Sequence, residues 1–129
     1  MTDATESTRR WRIYQLWAAY AHRADDGDAA SWTQLFTEDA VIDLGARVLT
    51  GHAEIRVFAA QRDAATGRHI VANVETVSDP SLDHVEIVAD FVFLPIAGRE
   101  GPTATGRYHS ILRWDGDGWL IARHRIERA

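Results

Sequence analysis

Hydrophobic positions along this chain keep two different rhythms. From Ile13 to Ala24 they recur at helical spacing. On a wheel turning about 100° per residue, Ile13, Tyr14, Leu16, Trp17, Ala18, Tyr20, Ala21 and Ala24 fill one continuous arc. Arg12, Gln15, Ala19, His22 and Arg23 hold the other side. The arc predicts an amphipathic first helix, and Asp3-Ala-Thr-Glu6 has the form of a capping box that starts it near residue 4. Gly27 suits the position after its end. Asp28 suits the N-cap of a short second helix through Phe36, with Trp32, Leu35 and Phe36 as its buried stripe. Val41-Ile-Asp-Leu44 reads as a short strand, and Gly45 and Gly51 bracket a turn. His52 to Ala65 reads as a third helix with Ile55, Phe58, Ala59 and Arg62 at helical spacing, ended by Thr66-Gly67.

From Arg68 onward the period shortens to two. Arg68 to Val77 predicts a strand with His69, Val71, Asn73, Glu75 and Val77 on one face. Asp79-Pro80 and Asp83 mark a turn. His84 to Leu94 predicts a long strand whose odd residues (Val85, Ile87, Ala89, Phe91, Phe93) are all apolar. Its other face, taken as the inner one, carries Glu86, Val88, Asp90 and Val92. Gly98, Gly101 and Pro102 form a loop, Thr103 to Trp114 the next strand, Asp115-Gly-Asp-Gly118 a hairpin, and Trp119 to Ile126 the last strand. Helices first and then antiparallel strands predict an α+β fold. Three N-terminal helices would cover the concave face of a strongly curved, mainly antiparallel sheet. Length and the absence of a linker or repeat predict one domain, 1–129.

Composition narrows the function classes. A hydrophobic share of 46% suits a packed core and not a disordered chain. A formal net charge of −5 argues against a broad nucleic-acid footprint. The chain has no cysteine, which excludes a disulfide framework, a thiolate metal site and a cysteine nucleophile. Met-Thr-Asp-Ala-Thr-Glu-Ser lacks the regions of a signal peptide, and no apolar run reaches membrane-spanning length. A soluble, cytoplasmic protein with no membrane or nucleic-acid partner is expected. Six histidines offer no His-x-His or His-x3-His spacing, so no metal is expected. Without a Gly-x-Gly-x-x-Gly or phosphate loop no nucleotide is implied, and Gly-x-Ser-x-Gly is missing too.

Candidate chemistry begins at the end of the first helix, where Tyr20 lies on the apolar arc and Asp25 near its edge. Read alone, each has an ordinary alternative. Asp25 fits a solvated helix end, and Tyr20 a core aromatic with a satisfied hydroxyl. His69 fits a strand histidine satisfied by a neighbour, and Asp90 a partner for Arg107 or Arg123. Asp28 is assigned to capping. His22, His52, His84, His109 and His124 read as exposed or peripheral.

Several stretches taken together point further. Tyr20-x4-Asp25-x2-Asp28, Trp32-x2-Leu-Phe-Thr-Glu-Asp-Ala40, Gly51-His-Ala-Glu-Ile55, Arg68-His69-x3-Asn73, Gly106-Arg-Tyr108 and Asp115-Gly-Asp-Gly-Trp-Leu-Ile-Ala-Arg123 occur in that order. The chain resembles the SnoaL-like branch of the nuclear transport factor 2-like superfamily, from about Arg9 to Glu127. That resemblance implies a cone-shaped α+β barrel with a deep pocket lined by helix one and the inner face of the sheet. Scytalone dehydratase and the bile-acid 7α-dehydratases pair an Asp at the end of helix one with a His on the strand after helix three, where Asp25 and His69 stand. Hexachlorocyclohexane dehydrochlorinase resembles the same pattern. Tyr20 matches a pocket tyrosine of the bile-acid enzymes, and Asp90 falls near an additional pocket carboxylate. Ala24, Gly106 and Tyr108 depart from the scytalone enzyme's substrate-binding residues, which argues against a scytalone-like substrate.

The resemblance implies His69 as the base, Asp25 as the residue that orients it, and Tyr20 as a donor to a carbonyl or leaving hydroxyl. Asn73, Tyr108, Asp90 and Trp17 are expected to contact substrate. The expectation is a cofactor-independent, dehydratase-like lyase acting on a small cyclic or polycyclic apolar molecule. A polyketide cyclase or ketosteroid-isomerase-like enzyme with the same pair is one alternative. A non-catalytic binding or accessory protein, like a dioxygenase β subunit, is another. A homodimer is expected, a trimer being the alternative, with Phe91, Phe93 and the last strand supplying the interface.

Overall fold

The computed structural model describes residues 3–62, 66–96 and 103–129. Helix α1 spans Asp3–Asp25, α2 Ala29–Thr33 and α3 Gly51–Ala60. The strands are β1 Phe36–Asp43, β2 Val48–Thr50, β3 Gly67–Thr76, β4 His84–Pro95, β5 Ala104–Trp114 and β6 Trp119–Arg128. They form one six-stranded sheet in the order β2-β1-β6-β5-β4-β3. The β1–β6 pair is parallel and all other neighbours are antiparallel. The three helices pack against this sheet, which is α+β and curved but not closed: β2 and β3 are its edges. No helix among the described residues is long and apolar enough to cross a membrane. The Gly98-to-Pro102 loop, the side chain of Asp3 and the last residues of the expected third helix lie outside the described residues.

Local chemistry explains how α1 stops where it does. Gly27 takes φ +71°, a left-handed conformation. Its N–H donates to Ala24 O (3.2 Å) and the Asp28 N–H to Arg23 O (3.1 Å). This is the Schellman pattern, which satisfies the last carbonyls of the helix and needs a residue free of Cβ strain. Asp28 then caps α2 by accepting the Ser31 N–H at 3.1 Å. α2 ends at Thr33 and not at Phe36. The reason is competition from the sheet: Leu35 O accepts the Ile121 N–H at 2.9 Å, and Phe36 pairs with Ile121. α3 likewise ends at Ala60, short of the expected Ala65.

Two bulges decide which side chains face inward. Register between β3 and β4 slips between Ala72 and Glu75, and Asn73 sits there at φ +53°. On β6, Ile121 pairs with Leu112 but Arg123 with Ile111, so Ala122 is the extra residue. An extra residue reverses the alternation beyond it. Thus His69 and Val71 face the helices before the first bulge, and Val74 packs on the core after it.

Strand β4 faces the opposite way from expectation. Val85, Ile87, Ala89 and Phe91 are all buried, so the apolar odd face is the inner one. Burying an uninterrupted apolar row is favourable at about 25 cal/mol per Å2, whereas Glu86 and Asp90 would have to be desolvated. Phe91 is therefore not available to an interface. Its ring stacks on Tyr108 with centroids 4.6 Å apart. Trp17, Tyr20, Trp32, Phe36 and His124 complete the same cluster and fill the space between α1 and the sheet.

Candidate active site

The C-terminal end of α1 delivers Asp25 to the start of β3. Its side chain is 5% exposed and that of His69 11%. Asp25 Oδ1 lies 2.6 Å from His69 Nδ1. The same carboxylate accepts the His69 backbone N–H, at 3.1 Å to Oδ1 and 3.0 Å to Oδ2. Both the ring and the peptide of His69 are thus anchored on one acid. At the far ring nitrogen, Arg62 Nη2 stands 3.0 Å from Nε2. A guanidinium only donates, so Nε2 accepts and Nδ1 carries the proton that Asp25 receives. The partners fix one tautomer of a neutral imidazole.

Burial holds the His69 pKa below the ordinary imidazole value; the hydrogen bond to Asp25 opposes this and the Arg62 charge adds to it. The ring is thereby held toward its neutral form. Phe93 closes one side of the ring, with centroids 4.9 Å apart.

Tyr20 does face inward, but its hydroxyl is bonded elsewhere. It lies 2.9 Å from His124 Nε2, and His124 Nδ1 lies 2.8 Å from Ser110 Oγ. His124 is fully buried, not peripheral. Burial pushes its pKa down to about 3 and raises that of Tyr20 to about 12, with a side-chain hydrogen bond from Tyr108 and the Arg62 charge acting the other way. Burial likewise raises the Tyr108 pKa. Both phenols remain neutral hydrogen-bonding groups, and the charges of Arg62 and Asp25 reach Tyr108. Trp17 stacks on Tyr108 at 5.6 Å, its buried Nε1 without a hydrogen-bond partner among the described residues.

Asn73 and Asp90 do not line this interior. The bulge turns Asn73 to the outer face, and Asp90 lies there because the odd residues of β4 point inward. Asn73 Nδ2 donates to Asp90 Oδ2 and Arg107 Nε to Asp90 Oδ1, each at 2.8 Å. The Arg107 hydrogen bond, with that from Asn73, holds the Asp90 pKa down. Asp90 thus has the arginine partner that was its ordinary alternative. These residues border an outer-face cavity of about 440 Å3.

Arg62, His124 and Ser110 had no functional role in the sequence reading. A signal existed for Arg62, since it continues the apolar stripe of Ile55, Phe58 and Ala59. His124 was hidden by the bulge at Ala122. Among the described residues no group of three or more His, Asp and Glu side chains is arranged to hold a metal ion.

A family model described as SnoaL-like domain matches residues 5–125. No curated protein matches the chain by sequence. Similar solved structures include Rv3472 from Mycobacterium tuberculosis, a protein of unknown function. It is 22% identical over 100% of this chain and 77% of that one, with a TM-score of 0.86. A Novosphingobium aromaticivorans protein provisionally assigned as an aromatic ring hydroxylase is 29% identical over 94% of this chain and 89% of that one (TM-score 0.79). Another from the same organism, provisionally assigned as a scytalone dehydratase, is 15% identical over 99% and 89% (TM-score 0.83). These likenesses show a shared fold.

Proposed function

We propose, from the premise that this chain belongs to the SnoaL-like domain family, that it is a cofactor-independent, dehydratase-like lyase. Its substrate is a small cyclic or polycyclic apolar molecule, and His69 is the base. The observation that carries this reading is the 2.6 Å contact between Asp25 Oδ1 and His69 Nδ1. It leaves the proton-accepting lone pair on Nε2, on the side of the ring away from the acid. Nε2 takes a proton from carbon beside a carbonyl, and the electron pair moves onto the carbonyl oxygen. Asp25 stabilises the imidazolium that forms. The enolate pair then returns to form a carbon–carbon double bond as the bond to the β-hydroxyl breaks, and the imidazolium gives its proton to that oxygen, so that one water is lost. Tyr20 and Tyr108 are neutral and donate to the polarised oxygen once their hydroxyls turn away from His124 and from Tyr20 respectively. Ring closure or isomerisation would use the same pair, and the substrate decides between them.

His69→Ala tests this reading in a screen of cyclic hydroxyketones. Turnover should fall by about 100-fold or more, with the thermal midpoint little changed. A near-normal rate in the variant would overturn the mechanism.

One observation favours a second reading, a non-catalytic binding or accessory protein. The interior beside the pair is filled by Trp17, Tyr20, Phe91 and Tyr108, all buried. Under that reading the unmodified protein binds apolar rings without converting them. The lyase reading requires these aromatic side chains to turn aside on binding. In both readings we propose a homodimer, with a trimer as the alternative.

A further inference from the structure

Arg62 is placed where a base would least be served by a cation. Its Nη2 caps Nε2 of His69 at 3.0 Å, the one ring nitrogen not already engaged by Asp25. Among the described residues no carboxylate lies within 4 Å of the guanidinium, the ion pair of the site being that of Asp25 with His69 on the other side of the ring. Its positive charge is felt at His69, Tyr20 and Tyr108 alike. A half-buried guanidinium spending a donor on a neutral imidazole is an unfinished arrangement, because its five N–H groups match a planar oxyanion far better.

The contact is also incompatible with proton abstraction. Nε2 has one lone pair, which either accepts the Arg62 N–H or takes a proton. Once protonated, the imidazolium also repels the guanidinium. Arg62 therefore has to leave Nε2 before His69 acts, and the charge it carries needs a new partner in the same space.

We infer that Arg62 is the anion-binding residue of this site: the bound molecule presents a planar oxyanion, and Arg62 moves from His69 Nε2 onto it. The oxyanion is either a carboxylate of the substrate or the enolate that deprotonation creates. This rests on the lyase reading for its timing, but the anion site itself does not need turnover. The packed aromatic cluster supplies the apolar remainder of the recognition, and Arg62 selects acidic or enolisable aromatic molecules over neutral ones.

Three probes test it: 1-naphthoate as a fixed carboxylate, 2-naphthol as an enolate mimic, and 1-naphthamide as the neutral control. The wild-type protein should bind naphthoate, or 2-naphthol in its ionised form by its absorption shift, about tenfold or more tighter than naphthamide. Naphthoate preference identifies a carboxylate substrate, and naphtholate preference an enolate. In Arg62→Gln the preference should vanish, and Arg62→Lys should restore part of it. Imidazole NMR supplies a second readout. The His69 titration should move to higher pH in Arg62→Gln, and in the wild type when the anion binds. Equal affinities, no measurable binding of any probe, or a preference that survives Arg62→Gln would overturn the inference. His69→Ala separates the two proposals, since it should retain the anion preference while losing turnover. If the preference depends on Arg62 but His69→Ala keeps its rate, the lyase reading falls and the anion site stands.

Discussion

Two inward-facing histidines of this molecule, His69 and His124, live under opposite rules. His69 stands at the edge of the core with a carboxylate on one nitrogen and a guanidinium on the other. His124 is wholly buried between two hydroxyls, Tyr20 on Nε2 and Ser110 on Nδ1. Charge is tolerable at the first because Asp25 can answer it. Among the described residues no carboxylate bonds the second, so protonation would leave a cation in an aromatic interior, and such a charge is expensive. The surroundings of the first can stabilise either protonation state, and those of the second only the neutral one. A hydrogen-bonded histidine is thus a candidate base only when something nearby stabilises its charged form.

The largest break in that contrast is Asp25→Asn. It keeps the shape of the acid but removes the charge and can favour the wrong tautomer, so turnover should fall about 100-fold or more. Steady-state rates on any substrate found by the screen measure it, and loss under tenfold would mean that Asp25 is only a scaffold. The corresponding change at the other histidine should appear in stability instead. His124 has a folded pKa of about 3, below the 6.5 of the unfolded chain. Between those values the unfolded chain binds more protons. Stability is therefore fully present above pH 6.5 and is lost as pH falls, by up to about 1.4 kcal/mol per pH unit from this group. Urea titrations between pH 7.5 and 5 should show that slope reduced in His124→Gln; equal slopes would mean that the residue does not stay neutral. The smallest effect belongs to the outer face. Asn73→Ala, forced to φ +53°, should cost about 1 kcal/mol, and Asn73→Gly less. Both should keep turnover within about twofold. A large rate loss in Asn73→Gly would return Asn73 to the site.

The order of elements and the period change at Arg68 were legible because helical and alternating patterns are local properties of the chain. So was the end of α1, where Gly27 and Asp28 have one obvious use each. The juxtaposition of Asp25 with His69 was suggested by family resemblance, and 44 residues separate them along the chain. What was not legible depended on single inserted residues. The bulge at Asn73 moves that side chain out of the row containing His69, and its only sequence signal is the tolerance of Asn for left-handed backbone. Ala122 does the same for β6 and places His124 inside. The inner face of β4 was not legible because Val88 and Val92 make its polar face half apolar, and only packing shows which face is wet. Arg62 was visible as an oddity on an apolar stripe, but its contact needs the start of β3 brought beside the turn that follows α3.

The bulge in β3 has one more consequence, for how molecules of this protein meet each other. β3 is an edge of an open sheet, and a long straight edge offers unpaired backbone groups on which another chain can template a strand. Asn73 breaks that row near its middle and twists it, while Arg68 and Glu75 place charges along it. The same extra residue that moves a side chain off the inner face thus makes the edge a poor seed for aggregation.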